Sequence, residues 1–189
     1  MKKIVMLCML CMPMSGWAAD WSLDGGESSL NFVSVKKGVV GEVHHFKALQ
    51  GSIEDGQTQV SVDLTSVETG VAIRNERMQS MLFDVSHFAT AKVSADVSSL
   101  KLAALKPGES VSATVPLRLS LHGIEQQLPA EVTIVGLADG GLLVSSRAPI
   151  IIKAADFGLV AGIEALREAA KLPSIAAAVP VTFQLRFSH

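Results

Sequence analysis

Alternation of hydrophobic and polar residues limits the fold of this chain more than any other feature. Hydrophobic side chains occupy every second position of residues 111–121, and the same period of two recurs over 179–187 and 60–65. A period of two places the hydrophobic residues on one face of a β-strand and the polar residues on the other. The chain is therefore predicted to be all-β, with each strand turning its apolar face towards a common core.

Short turns join most of the segments that have this pattern. Turn residues lie at 54–57, 106–109, 122–126 and 137–141, and the first and last of these contain Asp-Gly. Sequential hairpins build an antiparallel meander, and eight such strands can close into a barrel that holds one small ligand. The segment 110–121 alone would span about 40 Å, so the predicted barrel is extended. The eight predicted strands are 28–37, 41–54, 60–65, 90–99, 110–121, 126–136, 141–153 and 179–188.

Two stretches depart from the period of two and have helical spacing instead. They are residues 73–85 and 161–173, where apolar residues recur three and four positions apart. In the second stretch Glu164 and Arg167 are spaced to form an ion pair, and Pro173 stops the helix. Both are predicted to be short helices that pack over an end of the barrel.

The first 18 residues have the pattern of a secretory signal peptide. Two lysines precede an uncharged run at 4–12, and the small residues Gly16 and Ala18 fit a cleavage site after Ala18. The run is shorter than the roughly 20 apolar residues that a membrane helix needs. We therefore expect one exported domain, residues 19–189, that has no transmembrane segment.

The cysteines and the charge exclude two classes of function. Cys8 and Cys11 are the only cysteines and have thiol-redox or metal spacing, but they lie in the segment predicted to be removed. The net charge of −2 argues against a nucleic-acid partner, which requires a basic surface.

The hydrophobic fraction of 49% is high for a soluble domain. This excess of hydrophobic residues requires a thick core or a cavity with apolar walls.

The sequence contains no nucleophile-elbow, phosphate-loop or zinc-protease motif, so no catalytic residue is predicted. The adjacent pair His44 and His45 is the nearest approach to a metal site. Side chains of adjacent strand residues point to opposite faces and cannot easily share an ion. No metal or other cofactor is predicted; His44 is assigned to the polar face and His45 to contact with a neighbouring strand.

Two polar residues are candidates for contact with a ligand head group, Arg74 and His122. Arg74 and its neighbour Arg77 would either bind an anionic group or form ion pairs. His122 precedes Gly123 at a strand end, where its ring would either cap a turn or make a polar contact at the barrel mouth. The carboxylates considered as ion-pair partners are Glu76, Asp84 and Asp156.

Three blocks of sequence resemble, in order, the YceI-like family, which comprises polyisoprenoid-binding, lipocalin-like proteins of bacterial periplasms. The blocks are residues 69–93, 117–132 and 150–159. They include Phe-Asp-Val and Phe-Ala-Thr-Ala steps, a Leu-His-Gly hairpin and an Asp-Phe-Gly-Leu segment; Ala89 stands where the family usually has proline. The resemblance implies an eight-stranded antiparallel barrel with a helix near one end, a tunnel for a long isoprenoid or fatty chain, and a homodimer.

The extended barrel and the excess of hydrophobic residues predict an apolar interior. The resemblance implies that the protein is a periplasmic carrier that holds a long-chain isoprenoid lipid, such as an isoprenoid quinone or a polyprenyl phosphate, or a similar amphiphile in an apolar tunnel. One alternative is a lipid-modifying enzyme, which would need paired titratable groups on the inner face. Another is a ligand-free interaction module for a respiratory membrane protein, which would have a filled barrel. The candidate tunnel residues are Phe32, Phe46, Leu64, Met78, Met81, Phe83, Val115, Leu117, Leu119, Phe157 and Phe183.

Overall fold

The strands of this protein close into an antiparallel β-barrel. A computed structural model describes residues 21–189. The predicted signal peptide, its cleavage after Ala18 and both cysteines lie outside the described residues. Neighbouring strands pair in an antiparallel ladder, and the last strand pairs with the first to close the barrel. The strands are β1 (Trp21–Lys36), β2 (Val40–Phe46), β3 (Leu49–Glu54), β4 (Gln57–Asp63), β5 (Val67–Glu68), β6 (Thr90–Asp96), β7 (Ser110–Leu121), β8 (Ile124–Gly136), β9 (Leu142–Ser146), β10 (Ile150–Lys153) and β11 (Ala178–Ser188).

The barrel has eight strand positions because two of its long strands are interrupted. β2 and β3 lie end to end along β1, and β9 and β10 lie end to end along β11. The first break follows Phe46, where the backbone N–H groups of Lys47 and Ala48 donate to Ser66 instead of to a ladder partner. The second break contains Pro149, which has no N–H to donate. The predicted eight-stranded barrel is confirmed, and β5 is a short addition at the end of β2.

The alternating pattern places one face of each strand inside the barrel. In β7, Val115 and Leu121 are buried, whereas Arg118 is exposed between them. The same parity in β11 buries Leu185 and Phe187. The core of the molecule is therefore the inside of the barrel, as the period of two predicts.

One end of the barrel is closed by its own side chains and is called here the sealed end. Phe187 and Leu142 are almost completely buried there, and the second of two 3-10 turns, Ser98–Leu100 and Leu102–Ala104, contributes the buried Leu102 to the same hydrophobic core. The indole Nε1–H of Trp21 donates to the carbonyl oxygen of Gly140 at 3.1 Å.

Two short helices lie together at the opposite end, called here the helix end. The helix α1 (Ala72–Arg77) continues into a π-helical turn (Met78–Leu82), and α2 (Val160–Ala169) packs against that turn. A Cβ atom at Gly162 would lie 2.7 Å from the carbonyl oxygen of Met81, so only glycine permits this approach.

Both helices occupy the stretches where the sequence predicts them. The expected ion pair in α2 is present, with Arg167 Nε 2.6 Å from Glu164 Oε2. The helix ends at Ala169, before Pro173, and Lys171 adopts a positive φ of 53° as the chain turns away. No helix within residues 21–189 is long and apolar enough to cross a membrane.

Candidate functional site

A cavity of about 250 Å³ lies inside the barrel and extends from the sealed end to the helix end. Leu102 and Val97 contribute to its wall at the sealed end, and Leu82 and Ile163 contribute at the helix end. Every strand except β5 supplies at least one wall residue, and Thr58 is the only one of these residues that is not hydrophobic. Cavities with such walls stay dry and accept apolar ligands, because water finds no polar partner in them.

Nine of the eleven candidate tunnel residues line this cavity. They are Phe32, Phe46, Leu64, Met78, Phe83, Val115, Leu117, Leu119 and Phe183. Their contact with a lipid stays a prediction.

The other two candidates, Met81 and Phe157, are not part of the cavity wall. Met81 is 43% exposed. The residue that lines the cavity one helical turn after Met78 is Leu82, four positions later, so Met81 faces outwards. Phe157 is completely buried in a 3-10 turn beside the wall, and its neighbours Ala154 and Leu159 line the cavity instead. Helical spacing alone does not distinguish Met81 from Leu82 as the inward residue.

The chemistry of this wall suits the solvation of an apolar chain. None of the cavity-lining side chains of the described residues is titratable. The wall therefore offers no general acid or base to a bound molecule. Within residues 21–189, no three His, Cys, Asp or Glu side chains lie close enough together to hold a metal ion.

A polar cluster adjoins the apolar wall where β1 and β2 run together. Phe46, His44 and Glu42 alternate along β2 on the inner face, and His44 lies opposite Phe32 in the ladder. His44 is only 2% exposed, its ring centre is 5.3 Å from that of Phe32, and its Nε2 is 2.8 Å from Ser34 Oγ. The assignment of His44 to the polar face is therefore wrong, since its parity with Phe46 places it inside.

Arg74 reaches the same cluster from α1. Its Nη1 donates to Glu42 Oε2 at 2.7 Å, and its Nη2 donates to the carbonyl oxygen of Thr69 at 2.5 Å. Lys36 Nζ lies 2.8 Å from the same Glu42 oxygen. The expected partners of Arg74, namely Glu76, Asp84 and Asp156, are wrong, because the fold brings Glu42 of β2 to it across 32 positions of sequence.

These contacts fix the charges of the cluster. The hydrogen bond from Lys36, together with the positive charge of Arg74, holds the pKa of Glu42 below its usual range. Burial, with the nearby charge of Arg74, lowers the pKa of His44, so its ring is neutral at pH 7. The cluster therefore contains two cations, one carboxylate and a neutral imidazole.

His122 and Arg77 have structural contacts away from the cavity wall. His122 lies in the turn between β7 and β8 with a φ of 52°, and its ring centre is 4.5 Å from that of Phe88. Arg77 Nη1 donates to the carbonyl oxygen of Ala169 at 3.2 Å and so ties α1 to the end of α2. Of the two candidate head-group residues, only Arg74 lies in the cluster beside the cavity.

Comparison with known proteins identifies the family. The family profile described as the YceI-like domain matches residues 21–187 of the sequence. This chain belongs to the YceI-like family. The YceI-like chain is also similar to a solved structure described as a polyisoprenoid binding domain from Saccharophagus degradans implicated in plant cell wall breakdown. The two are 40% identical with a TM-score of 0.86, over 89% of this chain and 97% of that one.

Two more distant structures share the fold of this YceI-like chain. BcnA of Burkholderia cenocepacia is 17% identical, with a TM-score of 0.64 over 87% of this chain and 98% of that one. The YCEI protein of Campylobacter jejuni is 14% identical, with a TM-score of 0.50 over 76% and 82%. No curated protein matches the sequence at a significant level. The family predicted from three blocks of sequence is confirmed.

Proposed function

We propose that this YceI-like protein is a periplasmic carrier that holds the chain of an isoprenoid lipid inside its barrel. The observation that carries the proposal is the apolar cavity of about 250 Å³ inside a closed barrel. The structural relative at 40% identity, a polyisoprenoid binding domain, supports the same class of ligand. The predicted signal peptide and the family support the periplasmic location.

Burial of the lipid chain supplies the binding free energy. Each isoprene unit adds five carbons, worth about 4 kcal/mol gross at roughly 0.8 kcal/mol per buried carbon. Association and ordering of the chain remove about 4–15 kcal/mol. A chain of several units therefore binds without a polar contact, and the ligand is a long chain rather than a single prenyl group.

The lipid enters and leaves at the helix end. The sealed end is blocked by Phe187 and Leu142, which are almost completely buried in the barrel core. At the helix end the cavity is covered by Leu82 and Ile163 of two short helices, which lie outside the barrel ladder. Displacement of short helices costs fewer hydrogen bonds than opening a closed sheet, in which every strand is paired.

The filled interaction module and the lipid-modifying enzyme fit the structure less well than a carrier. A filled barrel leaves no room for a cavity of this size, and the cavity wall has no titratable side chain among the described residues. The homodimer and a respiratory membrane protein as partner stay predictions. An isoprenoid quinone and a polyprenyl phosphate both stay predicted ligands.

The test compares Leu117→Asp with Arg118→Asp in the full chain. The probe is an isoprenoid quinone, and the measurement is the amount of quinone that stays with the protein through gel filtration. Leu117 lines the cavity, whereas Arg118 is the exposed neighbour on the outer face. A carboxylate in an apolar wall is strongly unfavourable, so L117D should abolish retention and R118D should preserve it.

The fold of both variants is checked by circular dichroism. If L117D does not fold, Val115→Thr replaces it, because threonine has nearly the shape of valine and replaces one methyl group of the wall by a hydroxyl group. Retention of the quinone by a folded L117D or V115T at the wild-type level would contradict the proposal.

A further inference from the structure

We propose that Ser34, His44 and Arg74 form a head-group site, which binds an oxygen atom of the lipid's polar head group at the helix end of the barrel. The lipid then lies with its head group beside α1 and its chain towards the sealed end. This inference rests on the proposed function, because it assigns the polar end of the same ligand.

The first observation is a pair of nitrogen atoms without hydrogen-bond partners. Within the described part of the chain, His44 Nδ1 and Arg74 Nε are the buried side-chain nitrogen or oxygen atoms that have none. Buried polar groups in folded proteins are almost always paired, and each exception requires an explanation. Both exceptions here belong to one cluster, since Arg74 is bound to Glu42, two residues from His44 on the same strand face.

The second observation is the position of this pair relative to the cavity. The His44 ring lies 5.3 Å from that of Phe32, and the Phe32 ring lies 5.4 Å from that of Phe46, so His44 lies one side chain behind the wall. Phe32 and Phe46 both line the cavity. Arg77, on the same helix as Arg74, is committed elsewhere, because it donates to the carbonyl oxygen of Ala169.

The donors define the chemistry of the ligand. The Nε–H of Arg74 can only donate, so its partner is an acceptor oxygen. The Ser34 hydroxyl can rotate to donate to His44 Nε2 or to accept from it, which leaves Nδ1 able to donate or to accept. The site therefore accommodates either a carbonyl oxygen or a hydroxyl group.

The charge of the cluster limits the head group further. Lys36 and Arg74 share the single carboxylate of Glu42, and His44 is neutral at pH 7, which leaves an excess of one positive charge. A neutral oxygen head group fits this balance, and the excess positive charge also attracts an anionic one. The shared chemistry is an acceptor oxygen, and its source is a quinone carbonyl, a prenol hydroxyl or a prenyl phosphate.

The experiment measures the dissociation constants of four probes that each contain four isoprene units. The probes are a quinone, a prenol, a prenyl monophosphate and the hydrocarbon without a head group. His44→Gln keeps a group near Nε2 for Ser34 but removes Nδ1, and Arg74→Lys keeps the charge near Glu42 but removes the Nε–H group. Matched controls are His122→Gln and Arg77→Lys, which alter the same residue types away from the cavity wall.

The expected result is a loss of about tenfold in affinity for the head-group probes in H44Q and R74K, with hydrocarbon binding unchanged in both. The probe that loses most identifies the source of the oxygen, and the two controls should bind all probes like the wild type. The head-group site is overturned, with the carrier function intact, if both variants bind every probe like the wild type. It is equally overturned if they weaken the hydrocarbon as much as the other probes. Failure of all four probes to bind the wild type would overturn the carrier function itself.

Discussion

Substitution of Ala91 by leucine tests whether the barrel is hollow. Ala91 is 6% exposed and lines the cavity from β6. Ala130 provides a matched control, because it is fully buried on the inner face of β8 but is not part of the cavity wall. Both are alanines in barrel strands, so the two substitutions differ only in the space that the new side chain finds.

The expected change in the free energy of unfolding has opposite signs at the two positions. Leucine adds three carbons, each worth about 0.8 kcal/mol when buried without strain, so A91L should be neutral or stabilised by up to about 2 kcal/mol. At Ala130 the same three carbons must enter a packed interior, and overpacking costs about 1–3 kcal/mol. The cavity of about 250 Å³ is large enough for three carbons to enter without moving the opposite wall.

Equilibrium unfolding in urea, followed by circular dichroism, measures both variants against the wild type. A change in the midpoint at constant slope reports stability alone. The lipid-free chain, prepared by refolding, is the reference for all three proteins. If A91L is destabilised as much as A130L, the barrel is filled at Ala91 and the reasoning from the cavity is refuted.

Three further predictions concern the cluster, the helix contact and the sealed end. The pKa of His44 is lowered from about 6.5, so below pH 6.5 the unfolded chain binds protons that the folded chain does not. The free energy of unfolding should therefore fall between pH 7 and pH 5, and H44Q should make it depend less on pH. Gly162→Ala should destabilise the fold by about 1–3 kcal/mol in urea unfolding, because the new Cβ would lie 2.7 Å from the Met81 carbonyl oxygen; a wild-type midpoint would contradict the contact. Leu102→Ala should lower the free energy of unfolding by about 2–5 kcal/mol, and by more than Leu100→Ala does, because Leu102 is buried at the sealed end and Leu100 is half-buried. Equal decreases for the two variants would argue against a sealed end.

The barrel could be predicted from the sequence because its signal is local and repeated. The inner face of β7 follows directly from the alternation over 111–121, and the turn chemistry at 54–57 predicts the hairpin that pairs β3 with β4. The interruptions could not be predicted, because they depend on distant contacts. The break after Phe46 arises where the backbone of Lys47 bonds Ser66, which the period of two does not reveal.

The candidate site was predictable where it consists of inward strand positions, such as Leu117 and Leu119. It was not predictable where it depends on helix rotation, which places Leu82 rather than Met81 on the wall. The proposed head-group site was anticipated at Arg74 but not at His44, although the parity of His44 with Phe46 is visible in the sequence. The contacts that define it join residues as far apart as Glu42 and Arg74, and only the fold brings them together.

Native mass spectrometry of the protein, expressed with its predicted signal peptide and purified without detergent, tests most directly whether the barrel holds a lipid. We expect a reproducible mass above that of the polypeptide, which solvent extraction identifies as an isoprenoid lipid. A polypeptide mass that stays bare, even after isoprenoid quinones and polyprenyl phosphates are added, would contradict it.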